Sequence, residues 1–380
     1  MPLAEKPTPL PLPENTFPHS SPTRAAYDEC LALEQRGAWN KFDRDLQKEA
    51  SEHIMFDMSP LVAARVLGHA LVFAPSEDGR DALAREINDC YSDPELLAGL
   101  AHLYVFGLMR VFYNPKGPTP AVSANQSPRR SFEEAVKKLE HLLQQSLITP
   151  AQLRKLLLFR DNHRCVFTNA LDTQAERPRP GIPGTKFDLI NVAHIISQSL
   201  STDIHGTTER VREKFEWART AGAMIERFGG FSSHDVLRDE VLHSPSNAFI
   251  SSPAPHNAFG RLDMWLTPAK DEDDQVIPNT YDVEYYWGKE DLTHLGSGVR
   301  PRITFRSAQV GDQTIPPPDP RIIALHAACA QIAHMSGAAG WLQEFFRDSD
   351  EISVMTEPNA ASELSRALKQ IRMQLVSASA

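Results

Sequence analysis

The sequence predicts an α+β protein, predominantly helical, with a few short antiparallel strands in the second half of the chain. Three observations carry that expectation. Apolar residues recur at helical spacing in LVAARVLGHALVF (61–73), DALAREINDCY (81–91) and ELLAGLAHLYVFGLMRVFY (95–113). The β-branched apolar run FDLINVAHII (187–196) and the segments RLDMWL (261–266), VEYYW (283–287) and RITFRS (302–307) have the length and composition of strands. The segment from Asp319 has a capping acid, Pro320 at the first helical position and Gly337 past the end, the marks of a helix with defined termini.

In chain order, residues 1–25 are rich in Pro, Ser and Thr and are expected to form a disordered tail. Residues 26–113 form the helical N-terminal region. Residues 114–130, with Pro, Gly, Ser and Asn and no apolar period, read as a linker. Helix resumes in FEEAVKKLEHLLQQS, where Ser131 caps and Glu134 stands three residues on, and again in PAQLRKLLLFRD (150–161). The run 187–196 is expected to be one buried strand, with Ile190, Val192, His194 and Ile196 on a common face. Val211, Phe215, Ala218, Met224 and Ile225 keep one face of a helix inserted at 207–228. Residues 131–310 are thus expected to make one domain. Residues 311–380 should supply C-terminal helices that pack on it through Ile322, Leu325, Cys329 and Ile332.

Composition narrows the function. The 380 residues carry a formal charge of −10, so a basic coat for nonspecific phosphate binding is excluded. Charge is uneven, though: residues 151–270 hold 15 Lys and Arg against 13 Asp and Glu, leaving one region where an anionic substrate could be met. No stretch approaches the roughly 20 apolar residues of a membrane span, and no secretory signal stands at the N-terminus. The expected setting is inside the cell, in nucleus or cytoplasm. Cys30, Cys90, Cys165 and Cys329 are scattered singly, so they read as reduced, buried thiols rather than a disulfide framework or a zinc knuckle.

One constellation carries chemistry. His194 stands near the end of a strand, and an imidazole there can take a proton from water near neutral pH. Asn247, in LHSPSNAFI, has a side chain that both donates and accepts and can pin a long loop. His256 follows Ser252 and two prolines, in the first turn of a helix, where it could hold a metal ion.

The segments RDNHRCVFTNA (160–170), AHIISQSL (193–200), SPSNAFI (244–250) and HNAFGRLDMWLTP (256–268) resemble the HNH endonucleases, in the form common in fungi. The likeness extends to LAGLAHLYVFGLM (97–109) and DPRIIALHAACAQIAHMSGAA (319–339). The resemblance implies a central ββα-metal unit within residues 131–310. In it His194 is the general base, Asn247 orders the loop, and His256 binds one divalent cation, Mg²⁺, Mn²⁺, Ni²⁺ or Zn²⁺, against the scissile phosphate. DNA is the first candidate substrate and RNA the second. Arg160, Arg164, Lys186 and Arg261 flank the proposed site as candidate phosphate contacts. The chain departs from the family where Ala193 and Gly260 occupy frequent ligand positions, with Asp263 as a nearby substitute. Those departures sustain an alternative, a catalytically inactive binding or scaffold protein that keeps the fold.

Overall fold

The computed structural model describes residues 7–11, 17–35, 60–113, 148–174, 186–197, 221–232, 234–286 and 298–348, with residues 218, 292 and 295. The expected linker and the helix at Ser131 lie outside these, as does nearly all of the inserted helix before residue 221. Of the tail expected to be disordered at 1–25, residues 7–11 and 17–25 are described. There Leu10 and Phe17 are buried and a helix begins at Pro22, because a few apolar side chains find a packed surface despite the Pro-rich composition. The fold is mixed helix and strand, with helices flanking small sheets. No helix among the described residues is long and apolar enough to cross a membrane.

The chain divides into two compact units. One gathers the described residues of 1–111, 199–234 and 328–380. Its helices are α1 (Pro22–Gln35), α2 (Pro60–Phe73), α3 (Glu77–Asn88) and α4 (Pro94–His102), the last running on into a π-helical stretch, Leu103–Met109, whose residues are all buried. Local chemistry sets the ends: Ser76 caps α3 by accepting the Gly79 N–H at 3.1 Å, with Glu77 and Asp78 complementing the first-turn dipole. Tyr27, Leu67, Leu71, Leu83, Ile87 and Tyr104 form the core.

Residues 221–229 are helical and belong to this unit, not to the domain in which the sequence reading placed them. The reason is close packing. A Cβ on Gly79 would lie 1.9 Å from the Phe228 carbonyl oxygen, so only glycine lets α3 approach there. Phe228 meets Tyr104 edge-on at 5.2 Å, and Arg227 pairs with Glu86 at 2.8 Å.

The second unit holds the described residues of 112–198 and 235–327. Helix α5 (Pro150–Arg160) begins with a reciprocal Thr149–Gln152 capping box and Pro150 at its first position. It ends where Asn162 and His163 turn to positive φ. The run 187–196 is two strands rather than one. β2 (Phe187–Asp188) pairs in parallel with β1 (Leu171–Asp172), and β3 (Asn191–His194) pairs antiparallel with β4 (Ala248–Ser251). Between them the Asp188 carboxylate takes the Leu189 N–H, and Phe187 and Leu189 stay exposed. The expected alternation fails with it: Ala193 is wholly buried, while Val192 and His194 are half-buried.

Helix α6 (Pro253–Gly260) follows β4, and then a three-stranded antiparallel meander of β5 (Met264–Lys270), β6 (Val276–Tyr285) and β7 (Arg302–Thr304). β5 runs through Pro268, which an edge strand tolerates because its outer side needs no N–H. A hairpin that the sequence reading missed joins β8 (Ala308–Val310) to β9 (Gln313–Ile315), with Gly311 at φ +58° taking the turn. Val310 and Ile315 pack on Leu156 of α5, so the expected domain border at 310/311 falls inside one packed element.

Helix α7 (Pro320–Ser336) has the expected ends: Asp319 receives the Arg321 N–H at 2.9 Å, and Gly337 adopts φ +89°. Its first residues belong to the second unit, where His326 lies flat on Phe259, ring centres 3.7 Å apart. From Ala328 onward, with α8 (Ala338–Asp348), the chain belongs to the first unit, where Trp341 packs on Phe106 at 4.8 Å. The C-terminal helices are therefore not an appendage of the second unit alone. Their apolar stripe is interrupted by His326 and changes its packing partners along its length.

Candidate functional site

The site is assembled where β3 ends. β3 and β4 pair with His194 opposite Ala248, so the residue before Ala248, Asn247, sits beside the point where the chain leaves the strand. Asn247 is fully buried and closes that point with its whole hydrogen-bonding capacity. Its Oδ1 accepts the Ile196 N–H at 2.8 Å, and its Nδ2 donates to the carbonyls of Ile196 at 2.9 Å and Leu242 at 3.1 Å. Its backbone carbonyl accepts the Ile195 N–H at 2.9 Å. A buried amide with every bond made is a strong tether, because each partner would otherwise be left unpaired away from water. The tether joins the segment just after His194 to the carbonyl just before His243.

Helix α6 brings His256. Pro253 and Pro255 stand in its first turn, where backbone N–H groups have no helical partner, so the prolines forfeit nothing. The first bond of the helix runs from the His256 N–H to the Ser252 carbonyl at 3.0 Å. The start of α6 is fixed from outside by Cys165, whose Sγ accepts the N–H groups of Ser252 at 3.1 Å and of Phe167 and Thr168 at 3.4 Å. The Thr168 and Ser252 hydroxyls meet at 3.2 Å. Arg300 closes the same turn, its Nε donating to the Phe167 carbonyl at 3.3 Å. The far end of α6 is held by His326, which lies 3.1 Å from the Phe259 carbonyl and donates to it through Nε2.

Cys165→Ala should therefore lower stability by about 2 kcal/mol, because three N–H groups lose their acceptor; urea denaturation measures it. All four cysteines are buried free thiols, and none should react with a thiol reagent before the protein unfolds.

Electrostatically, His194 feels two other imidazoles. Burial, then the neighbouring His243, then His256, push its pKa down to about 3. Burial pushes His256 down as well. His243 and His256 are thus near enough to His194 to act on it electrostatically. The arrangement can accept a proton from water at His194 and offer imidazole nitrogens to a cation.

The sequence reading gave His243 no role at the site. The one signal that could have marked it is its place four residues before Asn247 in the same turn. Asp263, the expected substitute ligand, helps raise the pKa of Tyr113 after burial. Among the described residues, no group of three or more His, Cys, Asp or Glu side chains is placed to hold a metal ion by itself.

The flanking cations separate into two kinds. Arg164, half-buried, donates to the Asn169 carbonyl at 2.9 Å, and Lys186 and Arg261 are exposed. Arg160 differs: it is 4% exposed, and its guanidinium is spent on protein acceptors, which withdraws it as a phosphate contact. Helical spacing gives no sign of this, since Arg160 closes α5 on the side where the Pro245 turn arrives from far along the chain. Ala193 and Gly260 remain without ligating side chains, and Ala193 faces the core across from Phe249. No family model, curated protein or solved structure matches the chain.

Proposed function

We propose that this protein hydrolyses phosphodiester bonds in nucleic acid, DNA first and RNA second, with the help of one divalent cation. The observation that carries the reading is the fully buried Asn247, bonded at the end of the strand that bears His194, with His256 near enough to His194 to act on it electrostatically. His194 is the general base. With its pKa near 3 it is neutral at physiological pH, and a phosphodiester anion drawn beside it raises its basicity toward the range where it takes a proton from water. Asn247 keeps the end of β3 in place. His256 would hold the cation, which when bound would supply charge stabilisation at the phosphorus and the leaving oxygen. An imidazole donor set without carboxylates suits Zn²⁺ or Ni²⁺ better than Mn²⁺ or Mg²⁺. Arg164, Lys186 and Arg261 are the candidate phosphate contacts that stay at the surface.

A second reading, a binding or scaffold protein without catalysis, draws on the buried Ala193, the side-chain-free Gly260 and the net acidity. Plasmid nicking with Mg²⁺, Mn²⁺, Ni²⁺ or Zn²⁺ at low salt separates the two. The expected result is cleavage that falls at least about 100-fold in His194→Ala with metal binding retained, and that is lost together with metal binding in His256→Ala. Intact DNA and intact RNA with all four ions would overturn the nuclease reading and leave the binding protein.

A further inference from the structure

We infer that Arg160 is a positioning residue of the candidate site: with Asp161 it forms a buried clasp that holds the Pro245–Asn247 turn, and through Asn247 the end of β3 that bears His194. A guanidinium has five N–H donors. In Arg160 all five are used: Nε and one Nη2 hydrogen on the Asp161 carboxylate at 2.8 and 3.0 Å, Nη1 on the carbonyls of Pro245 at 2.9 Å and Pro316 at 3.0 Å, and Nη2 on the Ala248 carbonyl at 3.0 Å.

The three carbonyls come from the turn on either side of Asn247 and from the segment that leads into α7. These stretches are more than 80 residues from Arg160 in sequence. A buried cation needs compensation, and the adjacent Asp161, itself almost wholly buried, provides it. Lysine could not replace this fork, since its donors share a single nitrogen and cannot span three carbonyls and a carboxylate.

A parallel clasp fixes the other end of β3. Arg154, earlier on α5, donates to the Ile190 carbonyl at 2.6 Å and to the buried Asp172 carboxylate at 2.7 Å. One helix therefore braces the entry of β3 through Arg154 and its exit through Arg160 and Asn247. The catalytic meaning of the clasp rests on the nuclease reading, whereas the clasp can be tested without any activity.

The first measurement uses the unmodified full chain labelled with ¹⁵N-arginine. Clasped, Arg160 should show separate Nη hydrogens and an Nε–H that exchanges at least about 10-fold more slowly than in the exposed arginines. Rapid exchange and averaged Nη signals would overturn the proposal. The second compares Arg160→Lys with the unmodified chain. The Ile196 amide should exchange about 10-fold faster or more, and the His194 ring signals should shift, while the salt dependence of DNA binding keeps its slope. Unchanged Ile196 exchange and His194 signals in a folded Arg160→Lys protein would overturn it. So would a salt slope reduced by about one, the mark of a lost phosphate contact. If Arg160→Lys does not fold, the arginine spectrum decides. A protein that passes these tests yet cleaves nothing would keep the clasp and lose only the nuclease reading.

Discussion

Replacing Asn247 by Ala is expected to destabilise the second unit by about 3–5 kcal/mol, far beyond the usual effect of a substitution in a turn. The side chain satisfies three buried backbone groups, the Ile196 N–H and the Ile196 and Leu242 carbonyls. Truncation strands all three in a site closed to water, at about 1–3 kcal/mol for each group left unsatisfied, with relaxation recovering part of the sum. Asn247→Asp sharpens the test. It keeps an acceptor for the Ile196 N–H but turns a carboxylate toward two carbonyl oxygens, so it should cost at least as much as the alanine at neutral pH. Urea denaturation followed by near-ultraviolet circular dichroism measures both variants. A loss under about 1 kcal/mol for either would mean that the turn is held by other contacts and that Asn247 is not the tether.

The second large effect is acid lability. His102 and His326 are fully buried, and burial pushes each down to about 3, as it does His194 together with its two neighbouring imidazoles. Between that value and the ordinary 6.5 the unfolded chain binds protons that the folded chain does not, so stability rises with pH through this window. The contribution is complete above about pH 6.5 and drains away as pH falls toward 3. At pH 5 each fully buried histidine removes about 2 kcal/mol, so His102 and His326 together remove about 4 kcal/mol.

His69 and His256 are depressed by burial and act in the same direction. Glu86 opposes them. Burial raises its carboxyl despite Arg227 and Tyr104 beside it, so its protonation favours the folded state as pH falls. The depressed histidines outnumber this one carboxyl, so the net slope follows them. Thermal melts from pH 7 to pH 4.5 should show a steep fall in midpoint, eased in His326→Gln. A flat profile would show that the buried imidazoles bind protons in the folded state as readily as in the unfolded one.

Much of the local structure was legible in the residues. The helix at 150–161, the prolines before His256 and the Asp319–Pro320 and Gly337 pair were placed correctly, because helix ends depend on a few adjacent residues. The three later strand segments were found only in part: 261–266 starts three residues before β5 and stops short of its end, 283–287 catches only the end of β6 because Pro268 and the acidic turn Asp271–Asp274 hide the hairpin, and 302–307 overruns β7. The run 187–196 was read as one strand because its apolar content is continuous. Asp188 breaks it through a side-chain bond that a pattern of apolar residues does not register.

The candidate site was legible in its chemistry and not in its support. His194, Asn247 and His256 stood out as residue types in a suggestive order. By contrast, His243 and Arg160 gave no periodic signal, since one lies in an irregular turn and the other on the last turn of an ordinary helix. Their placement follows from bonds that join positions 196, 242, 247 and 160, which only the folded chain brings together.

The sequence by itself determined the α+β class, the ends of several helices and the buried state of the four cysteines. Those properties depend on composition and on contacts within a few residues. Tertiary structure decided the rest. It divided the chain into units that interleave along the sequence, assigned residues 221–229 and the end of α7 to the N-terminal helices, and turned Arg160 from a surface cation into a buried clasp. Each of these depends on desolvation and on hydrogen bonds across long sequence separations. A guanidinium is a phosphate ligand when it faces water and a brace when it faces carbonyls, and the packing around it determines which.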